Sequence, residues 1–176
     1  MNDNSNIKQF KINFLGEPGV GKTSIISQFV DQIFPGKIVG RSFSEKTITL
    51  DDNTLFKFQI WDSPVSERLG GLTRVFYNNA KAVILVYETK KRTFDELKNY
   101  WIHEIQKYCD KETIIVIVAN KCDLNGKEVY EEEVLQFVEN INAMFCHTSA
   151  KEGMGINELF NKIVKKLIKQ EEKLKK

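Results

Sequence analysis

The octapeptide GEPGVGKT at residues 16–23 restricts the fold of this chain more than any other segment. It fits the pattern G-x-x-x-x-G-K-[ST], in which glycines let backbone N–H groups approach and wrap a phosphate chain. An apolar run at residues 10–15 stops at this segment, and residues 24–34 have helical spacing. The order is therefore strand, glycine loop and helix. Backbone N–H groups of the loop and of the helix N-terminus attract negative charge, so the sequence predicts a phosphate-binding loop.

The side chains at the end of this loop have chemistry that suits the outer phosphates of a nucleotide. Lys22 supplies a cation, and Thr23 supplies a hydroxyl for Mg2+. We therefore expect phosphate contacts from the loop and the first turn of the helix, and Lys22 is also a candidate catalytic residue. The candidate contacts are Gly16, Gly19, Val20, Gly21, Lys22, Thr23 and Ser24.

Apolar runs and helical segments alternate along the rest of the chain. Strands are predicted at residues 47–50, 54–61, 82–87, 114–119 and 144–147, the first two as a hairpin around residues 51–53. Helices are predicted at residues 94–108, 131–141 and 156–172. Unbroken apolar runs suit strands that are buried on both faces of a parallel sheet. The order favours a three-layer α/β fold that binds ligands beyond the carboxyl ends of its strands.

The length, charge and cysteine content of the chain exclude several classes of protein. A length of 176 residues with 41% hydrophobic content predicts one domain. The net charge of +2 is too balanced to indicate a nucleic-acid-binding surface. The three cysteines lack the spacing of a disulfide framework or a zinc site, which is typical of a reduced cytosolic compartment. No apolar run approaches the roughly 20 residues that span a bilayer.

Two further motifs follow predicted strands in the second half of the chain. Residues 120–123 read NKCD directly after one strand, and residues 148–151 read TSAK after the last. Parallel strands would place both motifs at the same sheet edge as the phosphate loop. In this order the three motifs resemble those of the small GTPases, in which Asn-Lys-x-Asp and Ser-Ala-Lys bind guanine. An ATP-dependent kinase is the alternative for a phosphate loop, and these two motifs argue against it.

The resemblance implies a role for each residue of the two guanine motifs. Asp123 would accept hydrogen bonds from the guanine N1–H and 2-amino groups, where adenine presents the opposite pattern. Backbone amides near Ala150 would meet guanine O6. The stems of Lys121 and Lys151 would enclose the base, and Phe34 would pack beside it. The implied nucleotide contacts are Phe34, Asn120, Lys121, Asp123, Leu124, Ser149, Ala150 and Lys151.

Three other segments are similar to the Rab branch of the small GTPases: FKFQIWD at 56–62, LTRVFYN at 72–78 and LVYE at 85–88. The resemblance covers about residues 8–170, the expected GTPase domain, between a flexible N-terminus at 1–7 and a basic tail at 171–176. It implies the P-loop small-GTPase fold, with a six-stranded, mostly parallel sheet and helices on both faces. Asp62 would hold Mg2+ through a water molecule.

The Rab resemblance implies a molecular switch that binds GTP or GDP with Mg2+, hydrolyses GTP slowly and regulates intracellular vesicle traffic. Effector proteins, an exchange factor and a GTPase-activating protein would be its partners, and nucleic acid would not. The protein would act in the cytoplasm or peripherally on intracellular membranes. Rabs end in prenylated cysteines, and no cysteine follows Cys146. We therefore expect lipid anchoring only through a C-terminal segment that these residues do not contain.

The segment after Asp62 departs from the family. Small GTPases usually continue as Asp-Thr-Ala-Gly-Gln, where the glycine amide contacts the γ-phosphate and the glutamine orients the attacking water. Here Val65 stands at the glycine position and Ser66 at the glutamine position. Ser66 remains a candidate catalytic residue, but its short side chain predicts slow hydrolysis. A GTP-binding scaffold module that hardly hydrolyses its nucleotide is the alternative function.

The segment before the second strand departs as well. Aligned without gaps from Lys22, the family's Mg2+-binding threonine falls at Arg41, beside Ser42. Either Ser42 supplies the metal-binding hydroxyl after a one-residue shift, or this segment does not close on the metal. Arg41 is either an exposed loop arginine or a group that stabilises the transferring phosphoryl group in cis.

Overall fold

One β-sheet forms the centre of the structure, a computed structural model that describes residues 7–34, 42–50, 53–63 and 74–174. Its strands are β1 (Ile7–Leu15), β2 (Phe43–Thr49), β3 (Leu55–Asp62), β4 (Ala80–Tyr87), β5 (Ile114–Ala119) and β6 (Met144–His147). The helices are α1 (Lys22–Asp31), α2 (Arg74–Tyr77), α3 (Lys91–Glu96), α4 (Ile102–Tyr108), α5 (Glu131–Asn140) and α6 (Ile156–Leu174). A π-helical turn, Leu97–Trp101, joins α3 to α4.

The strands are arranged in the order β2-β3-β1-β4-β5-β6. The hairpin strand β2 pairs antiparallel with β3, and every other neighbouring pair is parallel. The predicted fold class, a six-stranded and mostly parallel sheet between helices, is confirmed for the described part of the chain. Because four parallel strand pairs share one direction, their carboxyl ends meet at one edge of the sheet.

A hydrophobic core lies on each face of this sheet, as alternating side chains of the strands point to opposite sides. On one face, Ile12 and Ile84 pack with Phe29 of α1 and Phe160 of α6. On the other face, buried residues of β4 and β5 pack with the π-helical turn and with α2 to α5, and Trp101 is 2% exposed. The two cores fix the helices on both sides, and with them the loops at the carboxyl edge.

Most predicted elements are present, with shifted ends. The strands at 114–119 and 144–147 have the predicted bounds. The first helix is displaced, because it begins at Lys22 and ends at Asp31, where Gln32 takes a left-handed backbone conformation with φ 57°. Phe34 therefore lies beyond the helix, and it precedes a proline in sequence, a position that disfavours helical backbone.

The predicted hairpin strand at 47–50 was too short. β2 begins at Phe43, because its whole length pairs with β3 from Phe43 opposite Trp61 to Thr49 opposite Leu55. As an edge strand with mostly exposed side chains, β2 lacks the apolar pattern by which a strand is recognised in sequence. The last helix also runs past its predicted end to Leu174.

No helix within the described residues is long and apolar enough to cross a membrane.

Candidate functional site

A cavity of about 410 Å³ opens at the carboxyl edge of the sheet. Its lining comes from five separate parts of the chain: the loop after β1 with the start of α1, the segment after α1, the end of β3, the loop after β5 and the loop after β6. The residues that line it are Pro18, Gly19, Gly21, Lys22, Thr23, Ser24, Phe34, Ser63, Asn120, Lys121, Asp123, Leu124, Ala150 and Lys151. The structure thus brings together most of the residues predicted to bind a nucleotide.

The phosphate-loop lysine is held inside the loop itself. The Lys22 ammonium donates hydrogen bonds to the carbonyl oxygens of Gly16, at 2.6 Å, and Glu17, at 3.2 Å, and the residue is 7% exposed. A Cβ on Gly16 would lie 2.2 Å from the Val86 carbonyl oxygen, so the loop can leave β1 only through a glycine. The loop therefore places a buried cation at the start of α1, where backbone N–H groups are unpaired.

Asn120 joins the phosphate loop to the loops after β5 and β6. Its Nδ2 donates to the Val20 carbonyl oxygen at 2.8 Å, and its Oδ1 accepts from the Thr148 hydroxyl at 3.0 Å. The Ala150 amide, predicted to lie near guanine O6, also donates to Asn120 Oδ1, at 3.2 Å. Val20 is completely buried and contributes its carbonyl to this network.

Asp123 is held in place by the neighbouring motif. The Ser149 hydroxyl donates a hydrogen bond to Asp123 Oδ1 at 2.6 Å, and it lowers the pKa of this carboxyl below its usual range. Ser149 is fully buried, so it acts on the site through Asp123. The carboxylate faces the cavity with one oxygen fixed, as an acceptor for two donors of a guanine edge requires.

The remaining candidates for base contacts surround the cavity. Lys121 has a left-handed backbone with φ 61°, and its ammonium pairs with Glu88 at 2.8 Å. This pair holds the lysine stem along the cavity wall. Phe34, 49% exposed, and Leu124, 46% exposed, are apolar side chains that face the opening. Lys151 is exposed as well and pairs with Glu152 at 3.4 Å.

Asp62 and Thr23 form a second polar cluster at the phosphate end. The Thr23 hydroxyl donates to Asp62 Oδ2, whereas Asp62 Oδ1 is buried without a partner within the described part of the chain. Burial raises the pKa of Asp62, against the opposing effects of Thr23 and Lys22. The adjacent Ser63 hydroxyl is also buried and unpaired within the described residues.

These atoms fit a hard cation. Mg2+ takes oxygen ligands and keeps several of its waters, so a carboxylate oxygen without a partner beside a hydroxyl matches its chemistry. Thr23 and Asp62 are therefore the residues that would hold the ion. Ser42 lies beside them in the sheet, since its carbonyl oxygen accepts a hydrogen bond from the Asp62 amide at 3.1 Å, and the residue is exposed.

Arg41, Val65 and Ser66 lie outside the described residues. The predictions made for their side chains therefore remain predictions from the sequence.

The comparisons with known proteins agree with this geometry. The Ras family profile matches residues 11–169. The chain is 39% identical over 166 residues to mouse (Mus musculus) Ras-related protein Rab-22A, covering 92% of this chain and 84% of the relative. The human (Homo sapiens) protein of that name has the same identity and coverage. The putative Ras-related protein Rab-5B of Dictyostelium discoideum is 40% identical over 171 residues, covering 95% of this chain and 79% of the relative.

The chain belongs to the Ras family. Its relatives identify it as a Rab-like member, and the resemblance found in the sequence is confirmed. It is a guanine-nucleotide-binding switch of vesicle traffic and a GTP hydrolase, and its general classes of partner are effectors, exchange factors and activating proteins.

Sequence reasoning missed three residues that support the site. Thr148 fixes Asn120, and Glu88 pairs with Lys121. Glu17 lies in the phosphate loop with a buried side chain. Thr148 and Glu88 follow directly on strands and lie in the quoted segments 148–151 and 85–88, and these two signals could have indicated them. Their partners are 28 and 33 residues away along the chain.

Proposed function

We propose that this Ras-family protein holds GTP or GDP with Mg2+ in the 410 Å³ cavity, with the phosphates on residues 16–23 and the base on the loops after β5 and β6. The observation that carries the proposal is that one cavity joins three kinds of group. Lys22 supplies a cation, Asp123 a carboxylate for guanine, and Thr23 a hydroxyl for the metal, next to its hydrogen-bond partner Asp62. A guanine nucleotide, with two donors on one edge of its base and a negatively charged phosphate chain, fits this set of groups.

Guanine selectivity follows from Asp123. A carboxylate accepts hydrogen bonds and donates none, so it pairs with the N1–H and 2-amino donors of guanine. Adenine has an acceptor at N1, which would face the carboxylate and leave both groups unpaired in a buried contact. The Ser149 hydroxyl holds the carboxylate in its charged form and in one orientation. Selectivity of several orders of magnitude is therefore expected.

Mg2+ would neutralise charge on the outer phosphates, with Thr23 and Asp62 holding it, the latter through a water. In the chain itself, Lys22 is already directed into the loop by the Gly16 and Glu17 carbonyls. A phosphate oxygen that replaces these acceptors forms a charge-assisted hydrogen bond with a cation that needs little rearrangement. Lys22 therefore binds and orients the transferring group.

Hydrolysis is expected to be slow without a partner. Positioning of the attacking water usually depends on a glutamine that this chain replaces by Ser66, and the preceding glycine is replaced by Val65. The protein loaded with GTP and Mg2+ should convert it more slowly than the roughly 4 × 10⁻⁴ per second of unassisted Ras. The measurement is chromatography of the bound nucleotide over hours.

A matched double variant makes this experiment decisive. Val65→Gly with Ser66→Gln restores the usual pair of residues, and conversion should then become faster than in the wild type. Wild-type conversion at the rate of unassisted Ras would contradict the prediction of slow hydrolysis. Persistent GTP in both proteins would favour the alternative function, a scaffold module that binds GTP with little turnover.

The effector contact is proposed for the aromatic surface at the start of β2. Phe43 is 41% exposed, and its ring lies 5.0 Å from that of Trp61. Exposed aromatic side chains of this kind are enriched in the centres of protein interfaces. The surface is close to the metal cluster, because Trp61 precedes Asp62 and Ser42 bonds to the Asp62 amide. Replacement of GTP by GDP would thereby change the surface that an effector contacts.

Attachment of the protein to intracellular membranes is proposed to be peripheral.

A further inference from the structure

The phosphate loop contains a buried acidic side chain whose presence there calls for a physical reason. The Glu17 side chain is 4% exposed and directly follows the first glycine of the loop. A buried carboxylate loses hydration free energy, and this one lies next to the site proposed for a chain of phosphates. Its negative charge would oppose nucleotide binding unless neighbouring groups neutralise it and hold it away from the phosphates.

Two donors from the opposite side of the loop hold this carboxylate. The indole Nε1 of Trp101 donates to Glu17 Oε1 at 3.3 Å, and the Arg92 guanidinium donates to Oε2 at 3.4 Å. The indole is 84 residues away along the chain and reaches the loop from the π-helical turn, Leu97–Trp101. π-Turns are rare within helices and often occur at functional sites.

The backbone of Glu17 contacts the phosphate-binding lysine. Its carbonyl oxygen accepts hydrogen bonds from the Lys22 ammonium at 3.2 Å and from the Val20 amide at 3.5 Å. Fixing the Glu17 side chain therefore fixes a carbonyl that orients Lys22. A shift of this residue would move both the lysine and the loop around it.

We propose that Glu17, Arg92 and Trp101 form a positioning set that keeps the phosphate loop in its binding conformation and neutralises its acidic charge. Arg92 supplies the neutralising charge and Trp101 sets the direction of the carboxylate. None of the three is expected to touch the nucleotide. The inference rests on the proposed role of residues 16–23 in phosphate binding. Its consequence is that changes on α3 and the π-helical turn alter the rate of nucleotide release.

The test is the dissociation rate of a fluorescent GDP from the Mg2+-loaded protein. Arg92→Ala leaves the carboxylate without its guanidinium and should accelerate release roughly threefold to tenfold. Trp101→Phe removes the N–H donor but keeps most of the ring volume, and should accelerate release as well. Lys90→Ala is the control, because Lys90 directly precedes α3 and makes an ion pair with a carboxylate that is exposed, that of Glu128.

A double-variant cycle separates the electrostatic role from simple packing. Glu17→Gln removes the charge and keeps an acceptor for the indole, so adding Arg92→Ala to it should change the rate no further. Equal acceleration by Arg92→Ala in both backgrounds, or wild-type release rates in both Arg92→Ala and Trp101→Phe, would overturn the inference. The cycle remains decisive if Trp101→Phe fails to fold.

Lys22→Ala distinguishes a failure of the positioning set from a failure of the proposal that residues 16–23 bind phosphate. Loss of GDP affinity in Lys22→Ala, together with unchanged release in Arg92→Ala, would overturn the positioning set alone. Wild-type affinity in Lys22→Ala would overturn the phosphate assignment and the inference with it.

Discussion

Asn120 Nδ2 donates a hydrogen bond to the carbonyl oxygen of Val20 at 2.8 Å, joining the loop after β5 to the phosphate loop 100 residues earlier. The same side chain accepts bonds from Thr148 and Ala150, so it links three loops of the cavity. The base and phosphate halves of the site are therefore held at a fixed separation by one buried amide. Nucleotide affinity should therefore depend on the hydrogen bonds that this amide makes between the loops.

Gly21→Ala should disrupt this link. A Cβ at Gly21 would lie 2.2 Å from Asn120 Nδ2, and the backbone there has φ +98°, which strains any other residue. We expect GDP affinity to fall by at least roughly tenfold, since the loop or the amide must move, at a cost on the order of 1–3 kcal/mol. Calorimetric titration of GDP is the measurement. Gly126→Ala is the control, with φ +77° but no atom within 4 Å of its Cβ. Equal losses in both variants would contradict the steric explanation.

Asp123→Ala should abolish discrimination between guanine and adenine nucleotides. The variant loses the acceptor for two guanine donors, and each charge-assisted hydrogen bond contributes on the order of 1.5–3 kcal/mol. GDP affinity should therefore fall by about two or more orders of magnitude, measured by fluorescent nucleotide titration. Ser149→Ala, which removes only the group that orients Asp123, should cause a smaller loss. Unchanged GDP affinity in Asp123→Ala would refute the guanine assignment.

Thr23→Asn should weaken GTP binding more than GDP binding. The Thr23 hydroxyl donates to Asp62, and together they form the cluster that fits Mg2+. Asparagine replaces the hydroxyl with a larger amide, and GTP brings the additional charge of a γ-phosphate that the metal neutralises. The ratio of the two affinities should change in the presence of Mg2+ and return towards the wild-type ratio in excess chelator. Equal losses of affinity for GTP and GDP would contradict the proposal that Thr23 holds the metal.

Glu133→Gln should lower stability in a pH-dependent way. Hydrogen bonds from Lys91 and Lys98 hold the pKa of the Glu133 carboxyl below its usual range. A lowered folded-state pKa contributes stability above the unfolded value, and this contribution is lost as the pH falls through the folded value. The group is half-exposed, so the difference between wild type and variant should be below about 1 kcal/mol at neutral pH.

Chemical denaturation between about pH 7 and pH 3 measures the Glu133 contribution, which should shrink towards the acidic end. Glu132→Gln is the control, because Glu132 lies in the same first turn of α5 but makes no ion pair in the part that the structure describes. A pH-independent difference in the free energy of unfolding between wild type and Glu133→Gln would contradict the lowered pKa of Glu133.

Local patterns predicted the elements and motifs of this protein well. A continuous apolar run predicted the bounds of the strand at 114–119, because a strand buried on both faces needs apolar side chains at every position. The bounds of the short edge strand at 144–147 were also predicted, although its His147 is exposed. The loop at 16–23 was recognisable because its glycines, lysine and threonine each have a local chemical reason. The edge strand β2 was partly missed, since exposed side chains leave no apolar pattern.

The sequence by itself determined the α/β class and the phosphate-loop motif, because these depend on side chains and turns close together in the chain. Its resemblance to the small GTPases indicated the residues that we propose for guanine. Only the tertiary structure decided which distant groups support them. The bonds between Ser149 and Asp123, Asn120 and Val20, and Trp101 and Glu17 join residues 26, 100 and 84 positions apart. Such contacts follow from the order of strands in the sheet and the packing of helices on it, which bring together residues that no local pattern relates.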